Sequence, residues 1–387
     1  MSTARPTAGT AGTAGATGAT GAAVRVLTAD PVKRERYLAD EDFAVGLRAV
    51  RAAAGGDLRG LQQRTGLVVF TPGCLASGQL ARGIDLLQQA GCRVVHERVL
   101  AFDEATVRRV WRYQLGTFRP DRWRLILDLL LAGPSYLVLL HGPPGGDGRS
   151  ASDRLKELKG PSDPVLGRPD QLRVRLGGMN KIINLVHSAE ESCDVVRETA
   201  ILLHPVELRA AWMAAARPAS AAPRTPPAHQ RPSSPVPGRW AAVSFAHVAI
   251  LLRRRLLDLL APWLPAGTAA LARSRLDREM GLAEEVPPHR PLEALAAWRE
   301  RFAGGRLAGT LAGAALAGAP PGDGHDQVQR YRRALLDAFE ELERGLCGTG
   351  CDLARLRESC AQAGFPIDQW DWLVIATEEV TSSLRSE

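Results

Sequence analysis

The sequence predicts an α/β sandwich followed by an all-helical half. Short, continuous apolar runs alternate with helix-period segments over residues 65–217, which is the pattern of strands covered by helices. Residues 218–238 are rich in Pro, Ala and Ser and carry no sustained period, so they read as a linker. Beyond them, over 239–387, the periodic stretches are helical and are separated by Gly/Pro breaks.

Residues 1–23 repeat Thr, Ala and Gly and offer no large apolar side chain. Nothing there offsets the entropy of ordering a backbone, and a disordered tail is expected. An N-terminal extension over 24–64 follows, whose apolar positions Tyr37, Phe43, Val45, Leu47 and Val50 suggest a helical cover for the next domain. Leu67 to Phe70, ended by Thr71-Pro72-Gly73, reads as a buried strand, and Leu80, Ile84 and Leu87 mark a helix with Gly91 near its C-terminal end. Arg93 to Leu100 and Tyr136 to Leu140 read as two further strands. Helices are expected over Asp103 to Tyr113 and Trp123 to Leu131, and an exposed loop over Gly145 to Asp153. In the second half, helices are expected at Trp240 to Trp263, Ala269 to Met280, Leu292 to Phe302, Val328 to Leu346 and Asp352 to Ala363.

A chain of 387 residues with 45% hydrophobic and 24% charged residues can bury a sizeable core, which excludes fibrous, mini-protein and fully disordered classes. The 49 basic residues against 42 acidic ones include only four lysines, Lys33, Lys156, Lys159 and Lys181. The remaining 45 are arginines, a bias that fits a GC-rich coding background more than a nucleic-acid code. Six cysteines without regular spacing, and a start without an apolar leader, suggest a reducing, cytoplasmic setting. Cys347, Cys351 and Cys360 have no evident fourth partner and read as structural thiols. The apolar stretch Ala241 to Leu252 is too short for a membrane span, which needs about 20 residues. Arg253 to Arg255 read as a solvated helix face.

Chemistry concentrates between Arg173 and Pro205. His187 has Asn184 three residues before it and Glu198 eleven residues after it, within a segment that ends His204-Pro205-Val206-Glu207-Leu208. Imidazole is nucleophilic near neutral pH, and a neighbour that orients the ring can make it a phosphoryl acceptor. Spacing alone favours a structural or surface histidine.

These blocks, with Gly160-Pro161-Ser162-Asp163-Pro164, Pro169 and Arg173 in the same order, resemble the nucleoside diphosphate kinase family from about Thr65 to Leu208. The resemblance implies a ferredoxin-like α/β sandwich. It also implies a two-step reaction in which His187 takes the terminal phosphoryl group of a nucleoside triphosphate such as ATP, carried with Mg²⁺, and passes it on. It assigns Glu198 to holding the imidazole, Asn184 to the nucleotide sugar and phosphates, Arg173, Ser162 and Lys156 to phosphates, and Trp111 to the family's tyrosine position. Homo-oligomers are common in the family, and the helical half is a candidate surface for a protein partner.

Four features depart from the family pattern. Thr71-Pro72-Gly73-Cys74 replaces a Lys-Pro-Asp-Gly turn, Trp111 lacks a hydroxyl, Ser77 replaces a helix arginine, and the His141 to Gly160 connection is longer. Asp121 or Trp123 is expected where the family stacks a base. The departures keep two alternatives open: a catalytically inactive nucleotide-binding or scaffold protein, and a specialised transferase acting on a non-nucleotide acceptor.

Overall fold

A computed structural model describes residues 28–142, 148–217, 244–286, 290–316 and 325–383. The expected tail (1–23) and linker (218–238) lie outside the described residues, as do Trp240 and most of the glycine-rich part of the 145–153 stretch.

Four strands form one antiparallel sheet: β1 (Thr65–Phe70), β2 (Arg93–Leu100), β3 (Ser135–His141) and β4 (Val186–Ser188), in the order β2-β3-β1-β4. Helices α4 (Pro72–Ala76) and α5 (Leu80–Gln89) join β1 to β2, and α8 (Ala151–Lys159) and α9 (Leu172–Arg175) join β3 to β4. This is the ferredoxin-like arrangement. The central strands β1 and β3 are buried along their whole length, which is why they read as unbroken apolar runs. Between β2 and β3 the chain makes α6 (Glu104–Val110) and α7 (Pro120–Leu131).

Alternation along the strands divides the sheet between two cores. Val68, Phe70, Val138, Leu140 and Val186 pack with α5, α7 and α8. Leu67, Val69, Leu137 and Leu139 pack under α2 (Glu41–Ala54), α10 (Ser192–Leu202) and α11 (Pro205–Ala216). Helices α1 (Pro31–Leu38), α2 and α3 (Leu58–Arg64) make the N-terminal extension a helical cover. At the α2–α10 crossing a Cβ on Gly46 would collide with the Val196 carbonyl oxygen, so glycine sets that close approach.

The second half is helical: α12 (Phe245–Leu260), α13 (Ala266–Glu285), α14 (Pro291–Phe302), α15 (Leu307–Leu316), α16 (His325–Cys347), α17 (Leu353–Gln362) and α18 (Gln369–Ser383). Its core is continuous with that of the α5–α7–α8 face, and α18 packs on α7. Asn180 is fully buried at this junction. Its Oδ1 accepts from the backbone N–H groups of Ile182 and Ile183 (3.0 and 2.9 Å), and its Nδ2 donates to Thr377 Oγ1 at 3.2 Å on α18.

Three expectations are corrected. The exposed loop ends at Ser150, whose capping box with Asp153 starts α8 at Ala151. Helices α15 and α18 were not expected. Arg253 is fully buried and not solvated: it donates to Glu279 at 2.6 Å and to Glu343 at 2.8 Å. Its neighbours behave as exposed arginines do, Arg254 pairing with Asp277 and Arg255 reaching the Pro366 carbonyl.

Candidate functional site

His187 is held by the local fold on both sides. Two residues before it, Leu185 takes a left-handed backbone conformation (φ 69°), the one non-glycine residue among those described to do so. Such a conformation costs a branched residue about 1–3 kcal/mol. Its carbonyl accepts from Thr71 N–H at 3.0 Å, so the bend is tied to the end of β1. The chain then enters β4, where His187 lies opposite Val69 on the face covered by α10. Glu198 on α10 is buried there, and its Oε2 lies 2.9 Å from His187 Nε2. A carboxylate at that distance fixes the tautomer with the proton on Nε2 and leaves the Nδ1 lone pair available. Trp111 covers the imidazole with ring centroids 5.1 Å apart.

The histidine borders a cavity of about 450 Å³. Seven of the residues singled out in the sequence, His187, Glu198, Lys156, Ser162, Arg173, Asn184 and Trp111, line it. Their engagements differ. Arg173 is buried and aims Nε and Nη2 at the Val186 carbonyl (3.1 and 2.8 Å) and Nη1 at the Gly160 carbonyl (3.1 Å). Three of its five N–H donors thus hold β4 and the Gly160 loop together, and burial pulls its pKa down to about 10. Asn184 Nδ2 donates to the carbonyls of Lys181 (3.0 Å) and Ser162 (3.5 Å), tying two wall segments together. Lys156 is exposed, with Nζ 3.3 Å from Glu190 Oε2.

Several lining residues carried no signal in the family pattern. Lys33 reaches in from α1, with Nζ 2.9 Å from Glu191 and 2.7 Å from Asp194. Burial opposes its charge, but those two carboxylates hold the ammonium above its ordinary range. Lys159, the last residue of α8, is 5% exposed; its Nζ lies 3.4 Å from the Ser188 carbonyl and 3.9 Å from Glu190. Burial, then the nearby Arg173 charge, push it down to about 8. Glu190 sits between Lys156 and Lys159, and their charges outweigh its partial desolvation and keep its carboxyl below the usual range. The aromatic wall is Phe118, with Arg122 over its ring at 5.3 Å; neither Asp121 nor Trp123 lines the cavity. Trp123 instead stacks behind Phe118. The signal that would have found the lysines is their scarcity: all four in the chain line this one cavity.

Among the described residues no group of three or more His, Cys, Asp or Glu side chains could hold a metal ion. The carboxylates at the cavity are engaged, Glu198 with His187, Asp194 with Lys33 and Tyr37, and Glu190 with Lys156. Among the described residues these carboxylates form no ligand nest for Mg²⁺. The six cysteines are free thiols. No helix among the described residues is long and apolar enough to cross a membrane.

No family model matches the chain. A nucleoside diphosphate kinase of Chloroflexus aurantiacus is 23% identical over 146 residues, covering 38% of this chain and 91% of that relative. Among solved structures, the nucleoside diphosphate kinase of Aquifex aeolicus is similar at 20% identity and a TM-score of 0.33, covering 37% of this chain and 97% of that one. The Borrelia burgdorferi enzyme, solved as a transition state mimic with vanadate and ADP, is similar at 15% identity and a TM-score of 0.32, covering 36% of this chain and 87% of that one. The resemblance to nucleoside diphosphate kinases is thus weak and partial.

Proposed function

We propose that the cavity binds a nucleoside triphosphate, with Mg²⁺ on its phosphates, and that His187 carries the terminal phosphoryl group to a second acceptor. The observation that supports this most strongly is the pairing of His187 Nε2 with the buried Glu198 at 2.9 Å on the wall of a lysine-rich cavity. In the first step the Nδ1 lone pair attacks the terminal phosphorus. The N–P bond forms, the bridging P–O bond breaks, and the nucleoside diphosphate leaves with that electron pair. The ring gains positive charge as it attacks, and the Glu198 carboxylate stabilises it through Nε2–H. In the second step an acceptor oxygen displaces the group and restores the imidazole. Phe118 and Arg122 form the wall suited to a base, and Lys156, Lys181, Ser162 and Asn184 lie along the polar side.

A second reading, a nucleotide-binding protein without turnover, is favoured by two observations at the reacting end. The β1–α4 turn carries Thr71 and no cation, and Trp111 covers the imidazole with a ring that has no hydroxyl. Phosphoryl exchange between a labelled nucleoside triphosphate and an unlabelled diphosphate separates the two. The enzyme reading expects exchange that is lost in His187→Asn; nucleotide binding without exchange supports the second.

A further inference from the structure

The basic residues of this chain are distributed unevenly in a way that depends on their chemistry. Of 45 arginines in the sequence, two among the described residues line the cavity, Arg122 and Arg173, about what an even scatter over the chain would put there. All four lysines line it. A coding background that favours arginine everywhere else has left ammonium groups at this one site. An ammonium is a compact point charge that fits where a planar guanidinium does not, and it can release its proton when buried.

We infer that Lys159, set at the end of α8 beside the strand that carries His187, is the cation that neutralises the terminal phosphates of the bound polyanion, in place of any charge from the β1–α4 turn. Its Nζ makes a 3.4 Å contact to the carbonyl of Ser188, the residue after His187, which leaves two of its three N–H donors for a ligand. Glu190, more than half exposed, is the anion now nearest to both Lys159 (3.9 Å) and Lys156 (3.3 Å), and a phosphate displaces it. Lys33, by contrast, is committed to Glu191 and Asp194. The inference rests on the proposed phosphate-binding role of the cavity and adds to it a residue that acts directly on the ligand.

The charged groups facing Lys159 are Lys156 on its own helix, Arg173 on α9, Glu190 before α10 and Glu198 on α10, with the His187 imidazole on β4 beside Glu198. In the free protein this setting lets the ammonium deprotonate near pH 8. A phosphate binds the protonated form, so affinity is full below that pH and weakens as pH rises through it.

The test is calorimetric titration of the full chain with inorganic tripolyphosphate, Mg-ATP and adenosine from pH 6.5 to 9.5, for wild type, Lys159→Met and Lys159→Arg. Lys159→Met is expected to weaken tripolyphosphate and Mg-ATP about tenfold or more at pH 7, the size of a lost charge-assisted hydrogen bond, and to leave adenosine unchanged. The alkaline weakening, measured relative to Lys159→Met, is expected in wild type and absent in Lys159→Arg, whose charge does not titrate there. A melting temperature of Lys159→Met at or above that of wild type excludes misfolding as the cause. Equal affinities and equal pH profiles in wild type and Lys159→Met overturn the assignment of Lys159 while leaving the cavity a nucleotide site. A wild-type protein that binds neither tripolyphosphate nor Mg-ATP overturns the nucleotide reading itself.

Discussion

Two buried charge clusters, one in each half of the molecule, show how the same residue types serve different ends. In the helical half, fully buried Arg253 joins Glu279 and Glu343. Glu279 also accepts from Trp298 Nε1, and Glu343 from the N–H groups of Leu307 and Ala308, so both carboxylates are closed off by short, well-aimed donors. In the α/β half, Lys159 has only long contacts, His187 has one partner on one nitrogen, and the groups surround an open cavity. The first cluster leaves one buried donor, Arg253 Nε, without a partner but pairs every carboxylate within the protein, and it ties α12, α13 and α16 together. The second is incomplete, and the donors it leaves unused are those a phosphate would take.

The largest effect that tests this contrast lies in the first cluster. Arg253→Ala leaves buried Glu343 without its cation and Glu279 with Arg275 alone, and is expected to cost about 3–5 kcal/mol in urea unfolding, with nucleotide affinity of the folded protein unchanged. A drop in affinity at full folding would break the separation of the two clusters.

Next comes the junction between the halves. Asn180→Ala strips the acceptor from the buried N–H groups of Ile182 and Ile183 and cuts the tie to α18. The expected cost is about 1–3 kcal/mol, with weaker nucleotide binding because Lys181, Ile182 and Asn184 line the cavity on that same segment. Unchanged binding would mean that α18 supports the fold without bracing the site.

A comparable effect at Lys159 has the opposite sign. Lys159 has a folded-state pKa of about 8 against 10.5 when exposed, so its charge opposes folding at neutral pH. The sign follows from proton binding: between those values the unfolded chain holds the proton and the folded chain does not, so wild-type stability rises with pH across that window. Lys159→Met is expected to be about 1–3 kcal/mol more stable than wild type below pH 8, with the gap closing toward pH 10.5. A variant that is less stable at pH 7 would mean that Lys159 is structural.

Much of this was readable in one dimension. The strands β1 to β3 were legible because each is a run of apolar residues bounded by turns, and the alternation of strands and helices gave the layer order. The three-residue β4 was not, since so short a strand has no period. The α15 sequence, Leu307 to Leu316, is too uniformly small and apolar to show a stripe. Arg253 was misread because a run of three arginines looks solvated until folding brings Glu279 and Glu343 to it from 26 and 90 residues away. That His187, Glu198 and Asn184 would come together at one cavity was legible because they are close in sequence. Lys33 was missed because its partners lie more than 150 residues along the chain. Lys159 was counted only as composition, although the rarity of lysine was the clue.

Intact-protein mass spectrometry under neutral handling tests most directly whether His187 carries a phosphoryl group. Wild type, His187→Ala and Glu198→Gln are each incubated with a panel of Mg-nucleoside triphosphates. One added phosphoryl group is expected in wild type, none in His187→Ala, and slower addition in Glu198→Gln, whose neutral amide stabilises the charged ring less. An unmodified wild-type protein across the whole panel, with nucleotide bound in a parallel titration, would contradict the carrier role and leave a binding protein.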